Sequence, residues 1–300
     1  MITFKEIEIS DKGWIDAILN AADRPGCHYN FTNMFAWGNI YQYRVAKLEN
    51  CLVVKGWSLE GVPYYLYPAG EGDYPKVLEA MVEDAASSGN EFRLAGLSDE
   101  NIAEINTLFP DKFEYAKVRD SYDYVYLLDK LVTLSGRNLS AKRNHINHFK
   151  RDNNWAFEQV SSENIGECWE MTVEWCNRRK CQYDIQLENE SCAVRQCFDH
   201  FFELGLEGGL IRSGGRVIAY TMGEKLNSDT YDIHIEKAFD EIQGAYQIIN
   251  HEFAIFIQEN HPELIYVNRE EDMGQEGLRK AKLSYHPVRM EEKSWGKFAG

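Results

Sequence analysis

Residues 208–260 constrain this chain more than any other stretch. Residues 210–212 and 217–224 are apolar, β-favouring runs, and Ser213, Gly214 and Gly215 between them supply the positive φ of a tight hairpin. Asn227, Ser228 and Asp229 turn the chain again into residues 230–236, which alternate strictly. Tyr231, Ile233 and Ile235 belong to one face, and Asp232, His234 and Glu236 to the other. After a loop over 237–243, Ala245, Ile248, Ile249, Phe253 and Phe256 recur on one helical stripe. Three antiparallel strands feeding a loop and a helix make a layered α/β unit. The polar face of its third strand is the place to look for chemistry.

The first half repeats this order. A strand over 3–9 and a short helix over 14–22 lead into an aromatic segment, 28–43, whose spacing suits a packed helix. Three short strands follow at 43–48, 51–57 and 62–67, then a loop with Gly70 and Gly72, a helix over 76–88, a strand over 92–97 and another helix. This implies an internal repeat offset by roughly 165–175 residues. The join is expected after the strand 123–128, giving domains over 1–132 and 133–300. The second half opens with a basic helix starting near Ser140, then a strand at 155–159 and two apolar helices, the second stopped at Gly205. After the central unit come a strand at 264–268, a helix at 275–283 and a last strand at 288–290.

The chain of 300 residues carries a formal net charge of −16. That much negative charge repels nucleic acid and anionic membrane in general, so a phosphate-bearing ligand must be met by local basic islands. No apolar run is long enough to span a bilayer, and the start lacks an apolar signal region, so a cytoplasmic protein is expected. Seven cysteines without close CxxC pairs read as reduced thiols in a core.

Four constellations carry chemical possibilities. Asp232, His234 and Glu236 on one strand face would stand about 7 Å apart in successive steps, which suits a general base; a solvated edge strand is the alternative. His234-x-Glu236 lacks the downstream Pro-Cys-x-x-Cys of a zinc deaminase, and the spacings of Cys176, Cys181, Cys192, Cys197 and His200 are loose, so no metal is expected. Gly244, opening the long helix, suits an anion cradle or a plain turn. Two basic islands remain. One spans 137–151 and includes Arg143; the other spans 277–287 with Lys282 and Tyr285, and Arg269 lies nearby. Each suits ligand contact or a solvated helix face.

With these pieces the chain resembles the phosphatidylglycerol lysyltransferase C-terminal domain family and its soluble relatives. The resemblance is carried by residues 142–149, by Asp232 to Ala238 with Gly244, Ala245 and Tyr246, and by Asn268 to Asp272 followed by Leu278 to Pro287. Leu278, Lys282, Tyr285 and Pro287 fit the family's terminal pattern, whereas Ala281 and Ser284 depart from it. The family implies an α+β fold of two tandem acetyltransferase-like (GNAT) domains, similar to Fem-type aminoacyltransferases. Each domain would be a mixed, mostly antiparallel sheet flanked by helices.

The resemblance further implies a soluble acyl- or aminoacyl-transferase moving an activated acyl group to an amine or hydroxyl. Glu236 or Asp232, with His234 beside them, would act as base, Lys282 would stabilise the oxyanion, and Tyr285 would serve as acid. Arg143 and Arg269 would hold donor phosphates, with Gly244 and Gln247 at the donor loop. Acyl-CoA or aminoacyl-tRNA is the expected co-substrate, with no tightly bound cofactor. The acceptor is expected to be a small molecule or peptide, and contact with RNA to be confined to the acceptor end of a tRNA. A non-catalytic sensor of an acylated metabolite or peptide stays open beside this, as does an acetyl-CoA-dependent N-acetyltransferase.

Overall fold

A computed structural model describes residues 2–300 and divides into two compact units. The first comprises Met1–Asp123, Glu271–Arg279 and Met290–Gly300; the second comprises Tyr124–Glu270 and Lys280–Arg289. The expected split at 132/133 has two contiguous halves, whereas these units interleave. The reason lies in the strands that complete each sheet.

In the first unit, Arg44–Leu48, Cys51–Trp57 and Pro63–Leu66 form an antiparallel meander. The helix Tyr74–Ser87 follows, capped by Asp73, whose side chain accepts from the Lys76 amide. It returns the chain to Arg93–Leu97, which runs parallel to Pro63–Leu66. Val77, Leu78 and Met81 of that helix are fully buried with Val53, Tyr65 and Leu94 of the sheet. The strand paired next to Arg93–Leu97 is Ser294–Phe298, from the far end of the sequence, and Phe113–Lys117 lies beyond it. Neither alternation nor a turn signal in the sequence marks Ser294–Phe298 as a strand.

The second unit has the same plan. Trp155–Gln159, Glu207–Ser213, Arg216–Lys225 and Thr230–Ala238 are successive antiparallel neighbours. The helix Ala245–Asn260 then leads to Tyr266–Asn268, parallel to Thr230–Ala238. Ile248, Ile249, Phe253 and Ile257 of this helix are buried, as the stripe requires. The adjoining strand is Asp123–Leu127, which precedes the rest of the unit in sequence. Each sheet contains a parallel pair; the first is completed by a strand from the far end of the sequence, the second by the strand that opens its own stretch.

Two local expectations change. Residues 28–43 are not one helix: a helical turn Cys27–Tyr29 and a short helix Phe31–Ala36 precede tight turns, in which Trp37 stacks on Tyr41. The aromatic spacing came from stacking in a folded-back loop rather than from a helical face. The first strand is only Lys5–Glu6, because Ile9–Asp11 turns at once into the helix Lys12–Ala22.

Candidate functional site

The third strand of the second unit does not keep its alternation. Met222 and Gly223 pair with Ile235 and Ile233, so the strand carries a one-residue bulge around His234. Before the bulge, Tyr231 packs on Phe253 of the long helix, with ring centroids 5.9 Å apart. Asp232 is its immediate neighbour and takes the opposite face, where His234 Nδ1 lies 3.8 Å from Asp232 Oδ2. After the bulge the parity has changed. Glu236 Oε2 accepts from Asn250 Nδ2 of the long helix at 3.1 Å. Lys237 now holds the other face, donating to Glu190 at 2.8 Å with its ammonium 3.9 Å from the Trp175 ring. The expected row of Asp232, His234 and Glu236 is thus split: the first two face one way and Glu236 the other.

On the long-helix side Glu236 anchors a polar cluster. Its Oε1 accepts from Arg269 Nη2 at 2.8 Å, and both side chains are about 12% exposed. The Arg269 guanidinium stands 5.1 Å from the Tyr285 ring and 5.7 Å from the Tyr126 ring. Lys142 Nζ lies 4.2 Å from the centre of Tyr285. Burial and the neighbouring Arg269 push the Lys142 ammonium below its ordinary pKa, while Glu236 opposes them. Burial drives the Tyr285 and Tyr126 hydroxyls well above theirs. Two buried polar atoms of this cluster, Arg269 Nη1 and Asn250 Oδ1, have no hydrogen-bond partner among the described residues. An ionised carboxylate only accepts, so Glu236 fixes the Asn250 amide with its nitrogen inward and its oxygen aimed elsewhere. The cluster therefore offers a spare donor and a spare acceptor on either side of a carboxylate.

The opposite face holds His234. Its Nδ1 lies 2.9 Å from Glu270 Oε1 and its Nε2 lies 3.3 Å from Glu224 Oε1. Burial works against charge on the ring, but the bonds to Glu224 and Glu270 and the field of Asp232 prevail and raise its pKa well above the usual value. Glu270 adopts a left-handed φ of 53°, and its amide donates to Asn268 Oδ1 at 2.7 Å.

Lys282 joins the two faces. Its ammonium donates to the carbonyls of Arg269, at 2.5 Å, and Glu270, at 3.1 Å, and its residue is 7% exposed. Its own carbonyl accepts from the Tyr126 hydroxyl at 2.8 Å. The lysine is a brace that sets how two adjacent side chains, Arg269 and Glu270, diverge to opposite faces. Its contacts suit that role rather than the oxyanion role expected from sequence.

The other expected residues are placed as follows. Arg143 donates to the carbonyls of Leu134 and Gly136, so it secures the loop before its helix, and the neighbouring Lys142 joins the cluster in its stead. Gly244 has φ of 89° and precedes the first residue of the long helix. A side chain there would meet the His145 carbonyl oxygen at 2.9 Å and Phe149 Cβ at 3.1 Å, so glycine permits the close approach of helix Ser140–Asp152. Gln247 is half-buried in the first turn of the long helix. Lys142, Asn250, Tyr126, Glu224 and Glu270 were not selected from sequence. Lys142 and Glu270 lay inside the stretches that carried the resemblance, each next to a residue that was chosen. Asn250 reads as part of an apolar helix, and nothing in the sequence marks Tyr126 or Glu224.

A family profile described as "Phosphatidylglycerol lysyltransferase, C-terminal" matches residues 20–295. A crystal structure of a conserved protein of unknown function from Bacteroides thetaiotaomicron is 37% identical and superposes with a TM-score of 0.94, covering 99% of this chain and 100% of that one. The structure of L-PGS from Bacillus licheniformis is 16% identical with a TM-score of 0.66, over 97% of this chain and 92% of that one. FemX is 9% identical with a TM-score of 0.64, over 99% and 97%. These last two likenesses show the fold alone, which is that of tandem GNAT-like domains. An uncharacterized protein of Mycoplasmoides gallisepticum is 25% identical over 169 residues, 56% of this chain; the chain spans about half of that relative's length, 53%. No helix among the described residues is long and apolar enough to cross a membrane.

Proposed function

The chain belongs to the phosphatidylglycerol lysyltransferase C-terminal family, and from that premise we propose that its second unit transfers an activated acyl or aminoacyl group to an amine or hydroxyl. The observation that carries this reading is the pair of unpartnered buried atoms, Arg269 Nη1 and Asn250 Oδ1, flanking the Glu236 carboxylate. Buried polar groups are almost always hydrogen-bonded, so a spare donor and acceptor in one cluster suit a ligand with the complementary pair.

In this reading the donor carbonyl accepts from Arg269 Nη1, and the acceptor's N–H or O–H points to Glu236, which takes its proton as the acceptor attacks. Negative charge then develops on the carbonyl oxygen facing the guanidinium, which stabilises it more than the neutral carbonyl of the ground state. Collapse breaks the ester or thioester bond, and the leaving oxygen or sulfur recovers a proton. Lys142, whose ammonium is the cation of the cluster most ready to give up a proton, is the donor for that step. The Asn250 oxygen would hold an ammonium or amide N–H of an aminoacyl group, a contact that a plain acetyl group does not offer. Tyr285 and Tyr126 give the guanidinium an aromatic bed that fixes its plane.

The test is to incubate the protein with labelled aminoacyl-tRNAs and acyl-CoAs, with a set of small amines and peptides as acceptors. Consumption of one donor class by the wild type and its loss in Arg269→Lys supports the reading. Thermal stabilisation by a donor without turnover favours the sensor instead.

A further inference from the structure

The His234 face plays no part in the transfer described above, yet its groups converge as tightly as those of the Glu236 face. Asp232, His234 and Glu270 each offer a ligating atom, and these atoms lie within 4.8 Å of one another. His234 Nδ1 is 2.9 Å from Glu270 Oε1 and 3.8 Å from Asp232 Oδ2. Two ligands bound at ~2.1 Å to one tetrahedral ion stand roughly 3.4 Å apart, so the observed separations bracket that value and need only small rotations. The second ring nitrogen, Nε2, faces Glu224 Oε1 at 3.3 Å. That is the outer carboxylate which, in metal centres, accepts the remaining N–H of a ligating histidine and fixes its tautomer. The side chains of Asp232, His234, Glu224 and Glu270 are 0, 4, 13 and 19% exposed, so this is no solvated acidic surface. Three carboxylates face one imidazole. A divalent cation placed there would meet oxygen and nitrogen ligands already shielded from bulk water.

We propose that Asp232, His234 and Glu270 form a site for a divalent cation, with Glu224 orienting the histidine. One imidazole nitrogen with two carboxylate oxygens suits zinc or manganese. Binding releases the proton from His234 Nδ1, which then donates its lone pair to the ion, while Nε2–H stays on Glu224. The strand bulge and the left-handed backbone at Glu270 bring these donors together from two neighbouring strands, so the ion ties Thr230–Ala238 to the end of Tyr266–Asn268. Its role is to fix the segment that carries Arg269 on the far face.

The full chain, stripped with chelator, is titrated calorimetrically with zinc chloride and separately with manganese chloride. Manganese is included because the thiols elsewhere in the chain prefer zinc and bind manganese poorly. The expected result is one site for each ion in the wild type, weakened at least about 100-fold in His234→Gln and about 10-fold in Glu224→Gln, whose ligands are intact. Circular dichroism confirms that each variant is folded, and Glu224→Gln serves if His234→Gln is not. Failure of the wild type to bind manganese, or unchanged affinity in the folded variants, overturns the proposal. Because binding is read without turnover, the result is independent of the transferase reading.

Discussion

Arg269 and Glu236 meet inside the second unit with 2.8 Å between a guanidinium nitrogen and a carboxylate oxygen, just beyond the parallel pairing of Thr230–Asp232 with Tyr266–Asn268. A pair this shielded is worth little as an attraction beyond what desolvation costs, but removing one partner strands the other.

Glu236→Gln keeps the shape and leaves the guanidinium uncompensated. It is expected to lower the unfolding free energy by about 3 kcal/mol, measured by denaturant titration. Arg269→Lys retains the charge and loses the fork. It is expected to leave stability closer to wild type while kcat/KM for transfer falls at least about 100-fold. Equal rates for Arg269→Lys and wild type would remove the guanidinium from the reaction.

Lys282→Met tests the brace. Two charge-assisted bonds to backbone carbonyls are lost from a buried place, and a cost of about 2–3 kcal/mol is expected. The melting temperature should fall before any assay is run. Lost transfer at an unchanged melting temperature would instead return Lys282 to the chemistry.

His28, in the first unit, makes a pH prediction. Both its ring nitrogens are buried without a hydrogen-bond partner among the described residues. Burial first, then the charges of Lys293 and Arg24, lower its pKa to about 3 against the pull of Asp123. The folded chain keeps the ring neutral while the unfolded chain protonates it near ~6.5. Its stabilising effect is therefore complete above ~6.5 and shrinks as pH falls towards 3, by about 2 kcal/mol at pH 5. His28→Leu should remove that part of the slope of stability against pH between 7 and 5. Parallel curves for variant and wild type would contradict it.

Gly223 faces the bulge. A side chain on it would meet the Asp232 carbonyl oxygen at 2.0 Å, a backbone atom that cannot swing aside. Gly223→Ala is expected to cost at least about 3 kcal/mol or to open the strand pair, seen as a lowered melting temperature and faster amide exchange at Ile233 and Ile235. A neutral result would mean the bulge is not held where it lies.

The hairpin, its long helix and the repeated plan were legible because glycine turns, period-two runs and a period-3.6 stripe each report local geometry. The strands Arg216–Lys225 and Trp155–Gln159 fall close to where alternation and turn residues put them. The split of Asp232 and His234 from Glu236 was not legible, since a bulge leaves no mark in one strand's alternation and only the partner strand's Gly223 hints at it. Glu270 lies 36 positions from His234, and only the parallel pairing of two strands brings them together. The strand Ser294–Phe298 escaped notice for a related reason. Its sequence, Ser-Trp-Gly-Lys-Phe, places Trp295 and Phe298 three apart and so breaks a period-two pattern, and its partners are almost two hundred residues away. Lys282 and Arg143 were recognised as cations, but the backbone carbonyls that hold them are invisible to any reading of residue types.

The late strand at residues 294–298 also fixes an order of events in the cell. It lies between Arg93–Leu97 and Phe113–Lys117, so a chain emerging from the ribosome presents those two edges long before the strand that joins them exists. The earlier-made unit is thus finished only after the later one has been made, and its exposed edges stay open to mispairing until residues 294–298 emerge.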